Sequence, residues 1–246
     1  MGKARRKGHG RGAATIRRLL PVVLSILFVV AAGLIYHAKT GGTVAVQEVS
    51  TPAYREENGN VPYFTAEELT TTAYATYSEL DALGRCGTAM ACLGPELMPE
   101  AEREDISTVS PTGLKGNNNW YSFIDQGYVY NRCHLIGYQL TGENDNERNL
   151  ITGTRFFNVD GMLPFENEVA TYIRSTGNHV MYRVYPVFTG SNLVSDGVLM
   201  EAYSVEDAGR GISFCVYVYN IQPGVTIDYA TGQNWVEGEE PLADVA

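Results

Sequence analysis

Histidine, cysteine and positive charge are all scarce in this 246-residue chain. The four cysteines (Cys86, Cys92, Cys133, Cys215) have no C-x-x-C pair, and only His134 and His179 lie clear of the N-terminal region, which argues against a zinc centre. Lys and Arg number 18 against 28 Asp and Glu, and seven of the 18 fall in the first 18 residues, where there is no acid. Everything after residue 18 therefore sets eleven cations against 28 acids, a formal charge of −17 rather than the −10 of the whole chain. Such a region has no long-range attraction for a polyanion, so any contact with nucleic acid must rest on a local basic patch. No internal repeat is present, which excludes a solenoid.

Charge is missing altogether from "LLPVVLSILFVVAAGLIY", residues 19–36. Eighteen residues at about 1.5 Å each just cover the hydrocarbon layer. The basic flank predicts a cytoplasmic N-terminus. Residues 1–18 then form a cytoplasmic segment and 19–36 a transmembrane signal anchor, making a single-pass cell-membrane protein whose remainder is extracytoplasmic. A cleaved signal peptide and a secreted product is the rival reading, but signal peptides have shorter apolar regions and no small-x-small site follows here. Residues 37–62, rich in Gly, Thr, Pro and acids without periodicity, read as a tether. A globular domain is expected over 63–236 and an acidic tail over 237–246.

Outside the cytoplasm disulfides are permitted. Cys86–Cys92 would close a short loop and Cys133–Cys215 would join two predicted strands; four buried free thiols are the alternative.

Within the domain, residues 127–135, 179–188, 197–205 and 212–221 alternate in polarity and are rich in β-branched and aromatic residues, which predicts strands of an antiparallel sheet. "LPFENEVATYIRSTG" predicts a helix with Pro164 in its first turn and Gly177 at its stop; Phe165, Val169, Tyr172 and Ile173 give it one apolar face. "TGTRFFNVDG" before it predicts a separate short helix ended by Gly161. Thr65 and Glu68 have capping-box spacing, with an extended segment as the alternative. The fold class expected is α+β, preceded by the N-terminal transmembrane helix.

The chemistry concentrates in "YVYNRCHLIGYQL" and "ERNLITGTRFFN". On a strand, Arg132 and His134 share one face and Asn131 and Cys133 the other. An imidazole that takes a proton near neutrality beside a guanidinium that forks onto phosphate oxygens suits a phosphodiester. Two asparagines follow at His134 plus 15 and plus 24, and the amide oxygen of Asn158 suits a hard divalent cation that keeps most of its waters.

"NRCH" resembles the DRGH motif of the DNA/RNA non-specific endonucleases, a branch of the His-Me finger (ββα-metal) nucleases. "LIGYQLTGENDNERNLITGTRFFNVDGMLPFENEVATYI" is similar to the matching region of the membrane-attached competence nucleases of Gram-positive bacteria, and "MYRVYPVF", "FCVYVYNIQPG" and "IDYATG" are similar to their later strands. The resemblance covers roughly residues 75–235. It implies a ββα-metal motif on an antiparallel sheet and Mg²⁺-dependent hydrolysis of DNA to 5′-phosphate products, with RNA as a second substrate and Mn²⁺ as a substitute metal. By position, His134 matches the general base and Asn158 the metal ligand. Asn149 matches an asparagine that orients the histidine or the metal's waters, and Glu166 an acid that holds such a water. Arg132 matches the motif arginine, which either contacts phosphate or braces the site through an ion pair. Asn131 and Cys133 depart from the motif's aspartate and glycine, the second adding bulk.

Lys115 and Arg155 are either phosphate contacts or solvated surface charges, and Trp120 and Tyr121 are either base-stacking groups or core aromatics. Nothing in the composition points to base-specific reading. A catalytically silent cell-surface protein that binds DNA for uptake is the competing function; retained His134 and Asn158 argue against it, because binding alone needs neither. A secreted toxin domain would need a larger delivery region.

Overall fold

The computed structural model describes residues 51–240. The expected cytoplasmic segment, membrane span, most of the tether and the last six residues of the acidic tail lie outside the described residues. Among those described, no helix is long and apolar enough to cross a membrane.

Six strands make one antiparallel sheet in the order β1-β8-β7-β6-β3-β2, with β1 Tyr54–Glu56, β2 Tyr74–Tyr77, β3 Ala89–Leu93, β6 Val180–Val187, β7 Gly197–Ser204 and β8 Ser213–Tyr219. β4 (Tyr130–His134) pairs only with β5 (Leu150–Thr154), and β9 (Val225–Ile227) pairs with β10 (Asn234–Val236). The predicted strand at 127–135 therefore exists but stands outside the main sheet. β1 lies within the segment read as tether, yet it forms the sheet edge: Tyr54, Arg55 and Glu56 face Val218, Tyr217 and Val216 of β8.

The period of two along each long strand puts one set of side chains into a single core. Ala91 and Leu93, Tyr182 and Val184, Met200 and Ala202, and Val216 and Val218 all face it. Two helices follow in chain order, the single turn α1 (Tyr138–Thr141) and the longer α2 (Leu163–Thr176). Val169, Ala170 and Ile173 of α2 complete the core, while Phe165 and Tyr172 pack at its rim. Burial of each larger side chain contributes about 2 kcal/mol.

α2 carries its proline in the first turn and ends at Gly177 in the left-handed conformation, as the sequence predicts. The separate short helix does not form. Residues 157–162 are a π-helical turn that runs without a break into α2. Gly161 does not stop it because its missing side chain is needed for packing: a Cβ there would lie 2.4 Å from Cγ1 of Val218. Thr65 and Glu68 do bond reciprocally, N–H of Thr65 to the Glu68 carboxylate at 2.8 Å and N–H of Glu68 to the Thr65 carbonyl at 3.1 Å, but they close a turn and start no helix.

All four cysteines are buried and unbridged, so neither disulfide forms. Cys133 is accommodated because Gly153, the register partner of Asn131, has no side chain: a Cβ at 153 would be 2.5 Å from the Cys133 sulfur.

Candidate active site

β4, β5 and the helix that follows form a ββα unit that carries Arg132, His134, Asn158 and Glu166. Arg132 and His134, on the same face of β4, line a cavity of about 390 Å³ together with Asn158 and Val159 of the π-helical turn, Glu166 of α2, Arg155 and Arg103. A second cavity of about 310 Å³ adjoins it and shares Arg103, Arg132, Arg155 and Asn158. Three guanidiniums thus border the space next to the imidazole, a local basic trough on an acidic domain.

His134 is 7% exposed. Its Nε2 lies 2.8 Å from the carbonyl oxygen of Asn144, which cannot donate, so Nε2 carries the proton and Nδ1 keeps its lone pair. Nδ1 makes no hydrogen bond among the described residues. Burial, helped by the charge of Arg103, lowers the imidazole pKa to about 4 despite the opposing pull of the Asn144 carbonyl. The ring is therefore neutral at physiological pH, as a proton acceptor must be. What orients it is a backbone carbonyl rather than a carboxylate, so the loss of the motif's aspartate leaves the base in position.

Asn158 is half-buried, and its carboxamide makes no hydrogen bond among the described residues. Glu166 is buried and has no ion pair among the described residues. Burial raises its pKa to about 7, against the Gly137 N–H, the charge of Arg103 and the Gln139 side chain, which favour the carboxylate. Gly137 makes this approach possible, since a Cβ there would be 2.6 Å from Oε2. The described residues hold no group of three or more His, Cys, Asp or Glu side chains fit to bind a metal. The Asn158 carboxamide and the buried Glu166 carboxyl line one cavity, a donor set of oxygens that fits a hard cation retaining its waters.

Glu166 also yields a sign-definite stability prediction. A folded-state pKa near 7 against 4.5 means that its contribution is fully present below pH 4.5 and is lost as pH rises through 7. Without metal, Glu166→Gln should raise stability at pH 8 by on the order of 3 kcal/mol and change little at pH 4.5. Chemical denaturation at the two pH values checks this; equal effects at both would mean that the carboxyl is solvated. His134 acts oppositely. Its depressed pKa gives stability that is present above 6.5 and lost as pH falls through 4, so the two groups offset each other between about pH 4.5 and 6.5.

Several expectations change. Asn149 is fully buried and spends its amide on one residue: Oδ1 accepts from the Ile136 N–H at 2.9 Å and Nδ2 donates to the Ile136 carbonyl at 3.0 Å. It fastens the turn leaving β4 and lines neither cavity. Arg132 forms no ion pair among the described residues; its Nε donates to the Val109 carbonyl and its Nη2 to the Ser107 carbonyl. Arg155 lies at the trough but is bonded to Asp125 at 2.8 Å. Lys115 is exposed and lines neither cavity. Trp120 is no core aromatic, being 60% exposed and outside both cavities. Arg103, which sequence reasoning missed, lines both.

The model of the DNA/RNA non-specific endonucleases matches residues 65–206, a span that contains β2 to β7, the ββα unit and the whole cavity. The chain belongs to the DNA/RNA non-specific endonuclease family. It is a nuclease by that membership, and solved nucleases share its fold. NucA from Streptococcus agalactiae with magnesium bound superposes with a TM-score of 0.65 at 26% identity, covering 75% of this chain and 87% of that one. Sda1 nuclease with a bound zinc ion gives 0.64 at 26% identity, covering 75% and 96%. No curated protein is a match.

Proposed function

We propose that the chain is a membrane-anchored, extracytoplasmic endonuclease that hydrolyses DNA phosphodiesters, with RNA as a second substrate, using His134 as general base and Mg²⁺ as cofactor. The observation that carries this reading is His134, its Nδ1 uncommitted, in one cavity with Asn158 and Arg103.

Nδ1 takes a proton from water as its oxygen bonds to phosphorus. The bond from phosphorus to the 3′ oxygen breaks, and that oxygen leaves protonated from solvent, giving a 5′-phosphate and a 3′-hydroxyl. Arg103 holds phosphate oxygens, and Arg155 does so after exchanging Asp125 for phosphate. The Asn158 amide oxygen, with Glu166 behind it through water, would hold the cation, which when bound supplies neutralising charge to the phosphate and the leaving oxygen. Arginine contacts to phosphate carry no sequence information, which favours cutting without sequence preference.

The basic flank and uncharged span at residues 1–36 support the anchor and its orientation. Membranes from cells producing the full chain are expected to cut added plasmid in Mg²⁺ and leave ends that a ligase rejoins without kinase treatment. Activity confined to the soluble fraction would remove the anchor, and ends bearing 3′-phosphates would remove the mechanism.

A further inference from the structure

Residues 101–109, between β3 and β4, have no regular secondary structure, and the first five are exposed. Only Ile106 and Val109 are half-buried, so apolar burial holds this segment weakly. Its internal hydrogen bonds are local: Val109 N–H to the Ile106 carbonyl at 3.2 Å, and Ser107 onto the Asp105 carboxylate through its N–H at 2.9 Å and its hydroxyl at 2.6 Å.

Two side chains tie the segment to the rest of the domain among the described residues. The Tyr138 hydroxyl lies 2.9 Å from the Ala101 carbonyl and 3.2 Å from that of Glu102. Arg132 reaches the other end, donating from Nε to Val109 and from Nη2 to Ser107, the latter at 3.0 Å. Arg103 sits between these two pins. It lines both cavities and makes no ion pair among the described residues, whereas Arg155 is held by Asp125.

We propose that Arg132 is a positioning residue that pins segment 101–109 so that Arg103 reaches the phosphate beside His134, rather than holding substrate itself. This rests on the phosphodiesterase reading above. The residue type fits the task. Two carbonyls two residues apart call for two donors in a fixed plane, which a guanidinium has and a lysine ammonium does not. Two of the five N–H groups of Arg132 are committed to the segment, which fixes the plane of the fork.

The test is a double-mutant cycle on kcat/KM for plasmid cleavage, in the full chain, with Arg103→Ala, Arg132→Ala and the pair, alongside Arg132→Lys and amide hydrogen exchange of residues 101–109. Each alanine variant should lose about 100-fold, the usual scale for one donor aimed at developing charge. The pair should lose no more than about threefold beyond the worse single variant, because both changes remove the same contact. Arg132→Lys should stay near Arg132→Ala, and exchange over 101–109 should quicken in both while β4 and β5 keep their protection. If Arg132→Ala does not fold, Arg132→Lys carries the cycle.

Losses that multiply to about 10,000-fold, or near-full activity in Arg132→Lys, would make Arg132 a direct phosphate ligand and overturn the proposal. So would unchanged exchange in the segment, or full activity in Arg103→Ala. These outcomes leave the nuclease reading standing. Failure of that reading shows separately, as no cleavage by the unmutated chain, and it removes the role given to Arg103 as well.

Discussion

His134→Ala should slow plasmid cleavage by about 10²–10⁴-fold, the span usually lost with a positioned general base. Nothing else described in the cavity can replace it. The cavity's arginines offer no acceptor, the Tyr138 hydroxyl faces the carbonyls of Ala101 and Glu102, and the Glu166 carboxyl is buried with its pKa raised to about 7. The pH profile sharpens the prediction. An ordinary histidine would protonate near 6.5, but burial lowers His134 to about 4. The acid limb of kcat/KM, which reports the free enzyme, should therefore fall more than one pH unit below 6.5. A limb at 6.5 would place His134 in solvent, against the 7% exposure of its side chain.

Asn158→Ala should cost at least about 100-fold at fixed Mg²⁺ and raise the Mg²⁺ concentration for half-maximal rate, since lesser changes around a metal already cost 10–100-fold. The reason is local. The π-helical turn widens the helix at Phe157–Met162 and places Asn158 on the cavity wall, its carboxamide committed to nothing else. Chelation with EDTA should abolish cutting by the unmutated chain. A Mg²⁺ titration that is the same for Asn158→Ala and the parent would take Asn158 out of the metal site.

Much of this architecture was legible because it follows from periodicity. Alternating residues at 179–188, 197–205 and 212–221 have to bury one face, and they do so as β6, β7 and β8. Pro164 and Gly177 bracket α2 for equally local reasons. The ββα unit was legible only through the resemblance carried by "NRCH" and the asparagines after it, since β5 is five residues of "LITGT" with little alternation. What sequence did not show depends on tertiary contacts. Gly161 looked like a helix stop because the demand of Val218 for space lies 57 residues away. Asn149 looked like part of the reacting group because its attachment to the Ile136 backbone has no sequence signature. The carbonyl that orients His134 could belong to any residue. Arg103 sits in "PEAERED", where neighbouring acids disguise it as solvated surface; an arginine 29 residues before the motif's own was the only available signal, and spacing alone could not identify it.

Net charge by itself would mislead, and the local basic patch it called for is present. A formal −17 after residue 18 suggests a poor partner for nucleic acid, yet three arginines gather at one trough. Screening damps the wider field over about 8 Å at physiological ionic strength, so local arginines outweigh distant acids.

The most direct test is incubation of supercoiled plasmid with the full chain and with His134→Ala, each in Mg²⁺ and in EDTA. The account predicts nicked and then linear DNA from the unmutated chain in Mg²⁺, and supercoiled DNA persisting at least about 100 times longer in the other three reactions. Equal cutting by His134→Ala, or plasmid left supercoiled by the unmutated chain in Mg²⁺, would contradict it.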